Sequence, residues 1–314
     1  MLSIVLPAYN ENTNVVRAYH AIKEILTKEE IPFELVFVND GSKDDTWSEI
    51  RKVVETAKKE KTNEIVVKGV DFSRNFGKEA AILAGLANAQ GDAAVVMDCD
   101  LQHPPQVLIE MYKLWQNGYE VVEGVKRSRG KENPVYKAGA KIFYGMMTRA
   151  TKIDMSRASD FKLLDKKAVK SILCMPERNM FFRGLSAWVG FKKTEIEFDV
   201  QERVVGESKW SKWSLVKYAV KNIAAFSTAP MQLVTIAGGL TFIGAVILGI
   251  QTLVKYFIGH AVQGFTTVIL LLLIIGSVIM MSLGIVGYYI AKIYEEVKRR
   301  PVYIITEIIQ NQNM

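Results

Sequence analysis

The sequence has little cysteine and little histidine, with two cysteines and three histidines in 314 residues. Two cysteines, Cys99 and Cys174, cannot build the disulfide framework of a small secreted domain; we expect both to be small buried residues in a reducing compartment. No second histidine or cysteine stands at ligand spacing from His103, so we interpret it as a turn residue and not a zinc ligand. The start LSIVLPAYN lacks the basic start, apolar centre and cleavage site of a signal peptide.

Charge is absent from two long stretches, Ile223–Val254 and Tyr256–Ala291. Each stretch exceeds the roughly 20 apolar residues that span a bilayer, so we predict transmembrane helices at about 231–254 and 266–291. The alternative is a pair of buried core helices. Such helices rarely run this long without a polar stripe, which favours a membrane hairpin.

Positive charge flanks this hairpin on both sides. The basic flanking residues are Lys209, Lys212, Lys217 and Lys221 before it and Lys298, Arg299 and Arg300 after it. The connecting loop carries only Lys255 and His260. By the positive-inside rule, we expect both termini and the N-terminal part in the cytoplasm, with the protein in the cell membrane.

The net charge of +7 is concentrated in one stretch, Lys126–Lys152, which has eight basic residues against one acid, Glu132. A patch of this kind could face nucleic acid, an anionic membrane or a phosphorylated substrate. A nucleic-acid module would show steep salt dependence. Because the stretch lies near a membrane hairpin and contains aromatic residues, we predict a membrane or a phosphate and no nucleic-acid partner.

The first half alternates strand and helix patterns, which predicts an α/β fold with a mostly parallel sheet and helices on both faces. Ligands in such sheets bind beyond the carboxyl ends of the strands. The loops at those ends are PAYNEN, NDGSKDD and DCDLQHPP. Polar groups cluster in these three loops, so they are the candidate site.

Two segments combine lysines with aromatic residues, at 134–152 and 208–228. We predict amphipathic helices in the membrane interface, with Trp210 and Trp213 at headgroup depth, against the alternative of solvated surface helices. The predicted division of the chain is a catalytic domain, a juxtamembrane helix, two transmembrane helices and a cytoplasmic tail, at 1–207, 208–228, 229–292 and 293–314.

Asp98 and Asp100 follow the apolar run of VVMDCDLQHPP. Residues i and i+2 of a strand project to the same side, so the two carboxylates can converge on one point. Mg²⁺ and Mn²⁺ accept hard oxygen ligands and bind through one or two carboxylates plus substrate phosphates. A D-x-D pair alone is weak evidence, and the alternative is a turn or helix cap before LQHPP.

Seven motifs occur in one order along the chain, followed by the two apolar runs: IVLPAYNEN, VNDGSKDDT, FSRNFGKEAAILAGL, VVMDCDLQHPP, ASDFKLLD, RGLSAWVGF and RVVGESKW. In this combination the chain resembles the family 2 glycosyltransferases with the GT-A fold. It is most similar to the polyprenyl-phosphate glycosyltransferases, which include dolichyl-phosphate mannose synthase and the bactoprenol glucosyltransferases. The resemblance implies a Rossmann-like GT-A catalytic domain.

The resemblance also implies roles for residues of these motifs. The donor-nucleotide positions are Pro7, Tyr9, Glu11, Asp40, Lys78, Asp98 and Asp100. The implied ligands for Mg²⁺ or Mn²⁺ are Asp98, Asp100 and Gln102. Asp160, with Asp100, is implied in catalysis, as a base or by orienting the acceptor. The phosphate and acceptor positions are Arg127, Arg129, Arg203 and Lys209. Lys78 could instead be a surface lysine at the start of a helix. Asp160 could instead cap the helix that begins in KLLDKKAV.

The implied reaction is inverting transfer of one sugar from a nucleotide diphosphate sugar to polyprenyl phosphate at the cytoplasmic membrane face. DLQHPP favours the bacterial undecaprenyl-phosphate group and UDP-glucose or UDP-N-acetylglucosamine, without identifying the sugar. Relatives suggest a homotetramer. The alternatives are a processive polysaccharide synthase, whose Q-x-x-R-W motif is here QERVVG, and an inactive membrane scaffold.

Overall fold

The structure is a computed structural model that describes residues 1–60, 65–127, 145, 159–175, 177, 181–199, 229–258 and 264–312. The described residues divide into two compact units. One contains the residues up to 199 together with 300–312, and the other contains 229–258 and 264–299.

The first unit alternates strands and helices over most of its length. Its elements in chain order are β1 (Leu2–Ala8), α1 (Val15–Lys28), β2 (Phe33–Asn39), α2 (Thr46–Lys59), β3 (Ile65–Phe72), α3 (Lys78–Asn88), β4 (Ala93–Val96), α4 (Val107–Gln116), β5 (Val121–Lys126), β6 (Lys162–Asp165), α5 (Lys166–Leu173), α6 (Phe182–Trp188), β7 (Lys193–Phe198) and β8 (Ile305–Gln310).

The eight strands form one sheet in the order β7-β5-β6-β4-β1-β2-β3-β8. The pairs β4-β1, β1-β2, β2-β3 and β5-β7 are parallel, whereas β4-β6, β5-β6 and β3-β8 are antiparallel. The prediction of a mostly parallel α/β sheet is confirmed. Strand order reverses at β1, which has β2 on one side and β4 on the other, so a crevice is expected where these strands end.

Alternation along β1 places apolar side chains on both faces of the sheet. Leu2, Ile4 and Leu6 belong to a core shared with α1, α2 and α4. On the opposite face, a Cβ at Gly85 of α3 would lie only 2.2 Å from Val5 Cγ1. Helices therefore cover both faces, and α3 approaches β1 at a distance that only glycine permits.

β8 is the main difference from the sequence prediction, which assigned 293–314 to a tail. The strand pairs antiparallel with β3 and forms one edge of the sheet. Asn311 extends this pairing, because its amide Nδ2 donates to Ile65 O at 2.8 Å and its Oδ1 accepts from the Val67 N–H at 2.9 Å. A six-residue strand with a partner more than 230 residues earlier gives no local signal of its pairing.

The second unit consists of α7 (Ala229–Phe257) and α8 (Phe265–Val297). By length and composition, both contain segments able to cross a membrane, Val234–Lys255 and Ile274–Val297. None of the residues in the apolar windows of these segments is buried within the structure. Among the described residues, this contradicts the alternative of two buried core helices.

The predictions for the interfacial helices and the two cysteines are confirmed only in part or not tested. The predicted interfacial helices at 134–152 and 208–228 lie, apart from Gly145, outside the described residues. Cys99 is buried as expected, but Cys174 is exposed, so that expectation was wrong for the second cysteine. Cys174 follows the last residue of α5, where the helix end meets solvent.

Candidate active site

The loops after β1 and β2 are joined by hydrogen bonds. The Asn10 N–H donates to Ser42 Oγ at 3.0 Å, and the Lys43 N–H donates to Asn10 Oδ1 at 2.9 Å. The N–H of Glu11 donates to Thr46 Oγ1 at 2.8 Å. Each loop thus holds the other, which fixes the backbone that carries the predicted nucleotide positions Tyr9 and Glu11.

The three predicted positions on the first loop differ in exposure. Pro7 lies within β1 and is partly buried, whereas the Tyr9 side chain is exposed directly after the strand ends. The carboxylate of Glu11 is partly buried and accepts from Asn14 Nδ2 at 2.6 Å. Tyr9 therefore presents an aromatic surface at the carboxyl end of β1, where a base or ribose can contact it.

Asp40, another predicted nucleotide position, is almost wholly buried. Its carboxylate accepts from the Phe76 N–H at 2.7 Å and from the Gly77 N–H at 3.0 Å. Burial raises the pKa of Asp40, and these two backbone hydrogen bonds act in the opposite direction. The side chain therefore anchors the loop between β3 and α3, and Gly41, with φ +59°, is needed where that loop passes.

Asp98 and Asp100 do not lie on a strand, so the prediction that strand geometry makes them converge was wrong. β4 ends at Val96, and Leu101 adopts a positive φ of 56°. The Asp100 carboxylate accepts from the Gln102 N–H at 3.1 Å. Both carboxylates therefore belong to a turn at the carboxyl end of β4, and the turn presents them.

Four charged side chains meet in this region, and we call them the four-charge cluster. The Lys78 ammonium, on the first residue of α3, is 2.7 Å from Asp98 Oδ1 and 3.1 Å from Asp160 Oδ2. Arg183 of α6 donates to both oxygens of Asp160, through Nε at 2.7 Å and Nη2 at 2.9 Å. Three ion pairs between two cations and two anions therefore join α3, α6 and the segments next to β4 and β6.

The charges in this cluster shift each other's protonation. Burial alone would raise the pKa of Asp160, but Lys78 and Arg183 hold that pKa well below its usual range. Burial alone would also lower the pKa of Lys78, but Asp98 and Asp160 outweigh it and raise that pKa. At neutral pH Asp160 is therefore an anion held between two cations.

A fifth group, Glu79, lies beside the cluster. It accepts from the Phe182 N–H at 2.9 Å, next to the start of α6. Burial, followed by the charge of Asp160, raises the pKa of Glu79 to about 7. This carboxyl therefore titrates near neutral pH, in contrast to Asp160.

The structure rejects the helix-cap alternative for Asp160 and shows which groups Lys78 contacts. Lys78 does begin a helix, but its ammonium binds the carboxylates of the site. Asp160 precedes a strand, and the side chain that caps α5 belongs to Asp165, which accepts from the Lys167 N–H at 2.8 Å. The helix-cap interpretation of Asp160 is therefore wrong.

Arg183 is the site residue that sequence reasoning missed. It lies in the motif RGLSAWVGF, which contributes to the family resemblance, but no role was predicted for its arginine. No periodicity or spacing relates Arg183 to Asp160, because the two are 23 residues apart and meet only when α6 packs.

The donor atoms at this turn suit a divalent metal bound together with a phosphate ligand. Asp98 and Asp100 supply hard carboxylate oxygens, and the Asp98 side chain is 34% exposed. Within the described part of the chain, no three His, Cys, Asp or Glu side chains form a metal-binding group. Two carboxylates fit Mg²⁺ or Mn²⁺ when phosphate oxygens complete the coordination.

His103 is buried and stacks on Phe161, with ring centroids 4.5 Å apart.

The predicted phosphate-binding residues are described only in part. Arg127, directly after β5, is exposed, and its guanidinium lies 3.1 Å from Asp199 and 3.8 Å from Glu197. The other three, Arg129, Arg203 and Lys209, lie outside the described residues.

Comparison with known proteins identifies the family of the chain. Residues 3–183 match glycosyl transferase family 2. An uncharacterised glycosyltransferase of Synechocystis is 37% identical over 309 residues, covering 98% of this chain and 95% of its own. A prophage bactoprenol glucosyl transferase homolog of Escherichia coli is 34% identical over 310 residues, covering 98% and 99%.

Among solved structures, glucosyl-3-phosphoglycerate synthase from Mycobacterium tuberculosis is 20% identical, with a TM-score of 0.47, covering 71% of this chain and 77% of its own. The family match contains nearly all of β1, the whole of β2–β6 and every member of the four-charge cluster. The chain belongs to glycosyl transferase family 2, for which the resemblance implied the GT-A fold, and is a glycosyltransferase.

Proposed function

We propose that this glycosyltransferase transfers a single sugar from a nucleotide diphosphate sugar to polyprenyl phosphate, with inversion at the anomeric carbon. The observation that carries the proposal is the meeting of Lys78, Asp98, Asp160 and Arg183 at the carboxyl ends of the strands. Support comes from relatives named bactoprenol glucosyl transferase, which are similar over nearly the whole chain, including the two apolar helices.

In the proposed reaction, an oxygen of the lipid phosphate forms a bond to the anomeric carbon. The bond from that carbon to the donor diphosphate breaks, and the nucleoside diphosphate leaves with the electron pair. The acceptor oxygen is already ionised near neutral pH, so catalysis rests on positioning and on stabilising the leaving group.

The residues of the chain have separate tasks in this scheme. Asp98 and Asp100, with Gln102 in the same turn, would hold Mg²⁺ or Mn²⁺, which when bound neutralises charge on the diphosphate. Lys78, whose ammonium lies 2.7 Å from Asp98, would supply a second cation for the leaving group. Asp160 is enclosed by two cations and orients the acceptor. Tyr9 and Glu11 lie on the loop proposed to contact the nucleoside.

The apolar helices of the second unit support a lipid acceptor. α7 and α8 contain segments long and apolar enough to cross a membrane, which supports association with the bilayer that holds a polyprenyl chain. We propose that the catalytic unit and both termini face the cytoplasm. Basic residues flank the hairpin at both of its ends, and the positive-inside rule places such flanks in the cytoplasm. Two spans favour one transfer over extrusion of a polymer.

The test is a donor screen with the whole purified chain in lipid nanodiscs. Short polyprenyl phosphate and Mn²⁺ or Mg²⁺ are supplied with UDP-glucose, UDP-N-acetylglucosamine and other common nucleotide sugars. The mass of the lipid product is measured by mass spectrometry. We expect one hexose or N-acetylhexosamine added per lipid from one preferred UDP-sugar. Long products would indicate the processive synthase, and no product with any donor would indicate the inactive scaffold.

A further inference from the structure

A second polar cluster lies next to the four-charge cluster and is more deeply buried. It consists of Glu123, Lys162 and Ser186, whose residues are 7%, 1% and 4% exposed. The Lys162 ammonium is 2.9 Å from Glu123 Oε1 and 2.7 Å from Ser186 Oγ. The same oxygen of Glu123 accepts from the Ser159 N–H at 2.9 Å. We call this group the buried triad.

The two clusters share the same structural elements. Arg183 and Ser186 are three residues apart on α6 and therefore lie on one face of that helix. Arg183 contacts Asp160, and Ser186 contacts Lys162 at the start of β6. Two polar contacts thus attach one helix face to one short stretch of chain.

Stability alone is a poor explanation for the buried triad. Removing a lysine and a glutamate from water costs several kcal/mol per ion, and well-packed apolar residues of similar volume often stabilise a protein as well or better. Burial lowers the pKa of Lys162 while Glu123 acts to raise it, which shows how strongly the ammonium depends on its partner. The Lys162 ammonium also donates to Ser186 of α6, so this hydrogen bond forms only when α6 lies against β6 in the observed placement.

We propose that Arg183 is a positioning residue for Asp160, and that the buried triad fixes the helix that carries Arg183. The guanidinium fork contacts both carboxylate oxygens, so it sets the rotation of the carboxylate, whereas the single ammonium of Lys78 cannot. The inference rests on the proposed function, in which Asp160 orients the acceptor phosphate. Arg183 therefore acts on the reaction through Asp160.

The first experiment separates positioning from binding in the whole chain in nanodiscs. We expect Arg183→Gln to lower kcat roughly 10- to 100-fold, since a small misplacement of a positioning group has that effect. The KM for the nucleotide sugar should stay within about threefold, because the donor contacts are unchanged. Arg183→Lys should recover only part of kcat, since an ammonium lacks the fork.

The matched control is Arg51→Gln, which removes an arginine of α2 that is paired with Glu307. This variant should leave both constants unchanged, because Arg51 makes no contact with the four-charge cluster in the described structure. Wild-type kcat in Arg183→Gln would overturn the proposal.

The second experiment tests the triad with the double variant Glu123→Gln/Lys162→Met. The glutamine that replaces Glu123 can still accept from the Ser159 N–H, and methionine replaces the lysine stem, so we expect a folded protein with a reduced kcat. A folded double variant with wild-type kcat would show that the triad does not position α6.

The third readout needs no sugar transfer and therefore separates this proposal from the proposed function. We expect Arg183→Gln to speed hydrogen exchange of backbone amides at 159–165 in protein without substrate, and Arg51→Gln to leave it unchanged. If the wild type transfers no sugar to lipid, the proposed function fails while faster exchange still supports the role of Arg183. Unchanged exchange at 159–165 would overturn it.

Discussion

At the scale of single residues, exposure separates the two carboxylates that Lys78 contacts. The side chain of Asp98 is 34% exposed and that of Asp160 is 13% exposed. A hydrated metal ion with a phosphate ligand needs an approachable carboxylate, which Asp98 provides. Asp160 is enclosed by Lys78 and Arg183, so its charge is compensated within the protein. One lysine therefore connects the proposed metal site with the positioning carboxylate.

Asp100→Asn tests the proposed metal site. The asparagine carbonyl can still accept from the Gln102 N–H, so we expect the turn and the melting temperature to be retained. Loss of the charge should reduce transfer roughly 100-fold or more and weaken Mn²⁺ binding, because a hard cation needs carboxylate oxygen. Transfer rate and Mn²⁺ titration measure both effects.

The control is Asp92→Asn, at an exposed aspartate that pairs with the N-terminal ammonium. Unchanged transfer in Asp100→Asn would remove Asp100 from the proposed metal site.

Glu79 gives a prediction about stability and pH. Its folded-state pKa of about 7 lies above the ordinary value of 4.5, so the folded protein binds the proton more tightly than the unfolded chain does. The stability that this provides is complete below pH 4.5 and is lost as pH rises through 7. Glu79→Gln should remove that loss and stabilise the protein at pH 8 by on the order of 2 to 3 kcal/mol. Thermal unfolding from pH 5 to 8 measures it, and identical pH slopes in both proteins would contradict it.

At the scale of elements, β8 makes the end of the chain part of the catalytic sheet. Its pairing with β3 is reinforced by Tyr303, whose ring stacks on that of Phe72 with centroids 5.1 Å apart. The Ser73 N–H also donates to Ile304 O at 3.1 Å. Ser73 begins the loop that Asp40 anchors, so the C-terminal segment contacts a loop next to the proposed donor site.

Asn311→Ala tests whether β8 is integral to this sheet. The change leaves the N–H of Val67 and the carbonyl of Ile65 without their side-chain partner, at about 1 to 3 kcal/mol for each buried polar group. We expect a lower midpoint in thermal unfolding of the whole catalytic unit. Asn117→Ala, at an exposed asparagine after α4, is the matched control. Equal midpoints for the two variants would indicate that β8 contributes little.

At the scale of the whole molecule, the chain leaves the catalytic unit and returns to it. The second unit, α7 and α8, is inserted before the last strand of the first unit. A truncation that removes the apolar helices with everything after them therefore also removes an edge strand. A shortened protein that contains only the catalytic unit must retain β8 to keep all eight strands of the sheet.

Replacement of 229–299 by a long Gly-Ser linker tests this organisation. We expect the catalytic unit to fold, because β8 is retained, and to lose resistance to alkaline carbonate extraction, because both candidate spans are gone. Truncation after residue 228 should instead lower the unfolding midpoint, because β8 is lost. Fractionation and thermal unfolding measure the two effects. Equal midpoints in the linker and truncated proteins would contradict the role of β8, and carbonate resistance without the helices would contradict their role as anchors.

Local patterns were enough to predict much of this protein. Apolar runs and helical periodicity, alternating along the chain, predicted β1–β4 and α1–α3, because each pattern lies within one element. The uncharged runs predicted α7 and α8 for the same reason. The loops at the carboxyl ends of the strands were predicted as the candidate site, since parallel strands bring those ends to one edge, and Asp98 and Asp100 do follow the end of β4.

Details that depend on distant contacts were not predictable in this way. Asp98 and Asp100 lie in a turn, although strand spacing suggested otherwise, because β4 ends at Val96 and the chain turns there, with Leu101 in a left-handed conformation. The pairing of β8 depends on a strand far away in the chain.

The amino-acid sequence by itself determined the class of fold, the order of the elements from β1 to β4, the apolar helices and the carboxylates that lie near the strand ends. It could do so because backbone periodicity, charge and motif order are properties of neighbouring residues. Only the tertiary structure decided that Arg183 binds Asp160, that Lys78 joins Asp160 to Asp98, and that a buried triad lies alongside them. Ion pairs form where packing brings distant side chains within a few ångströms, and that distance is set by the whole fold.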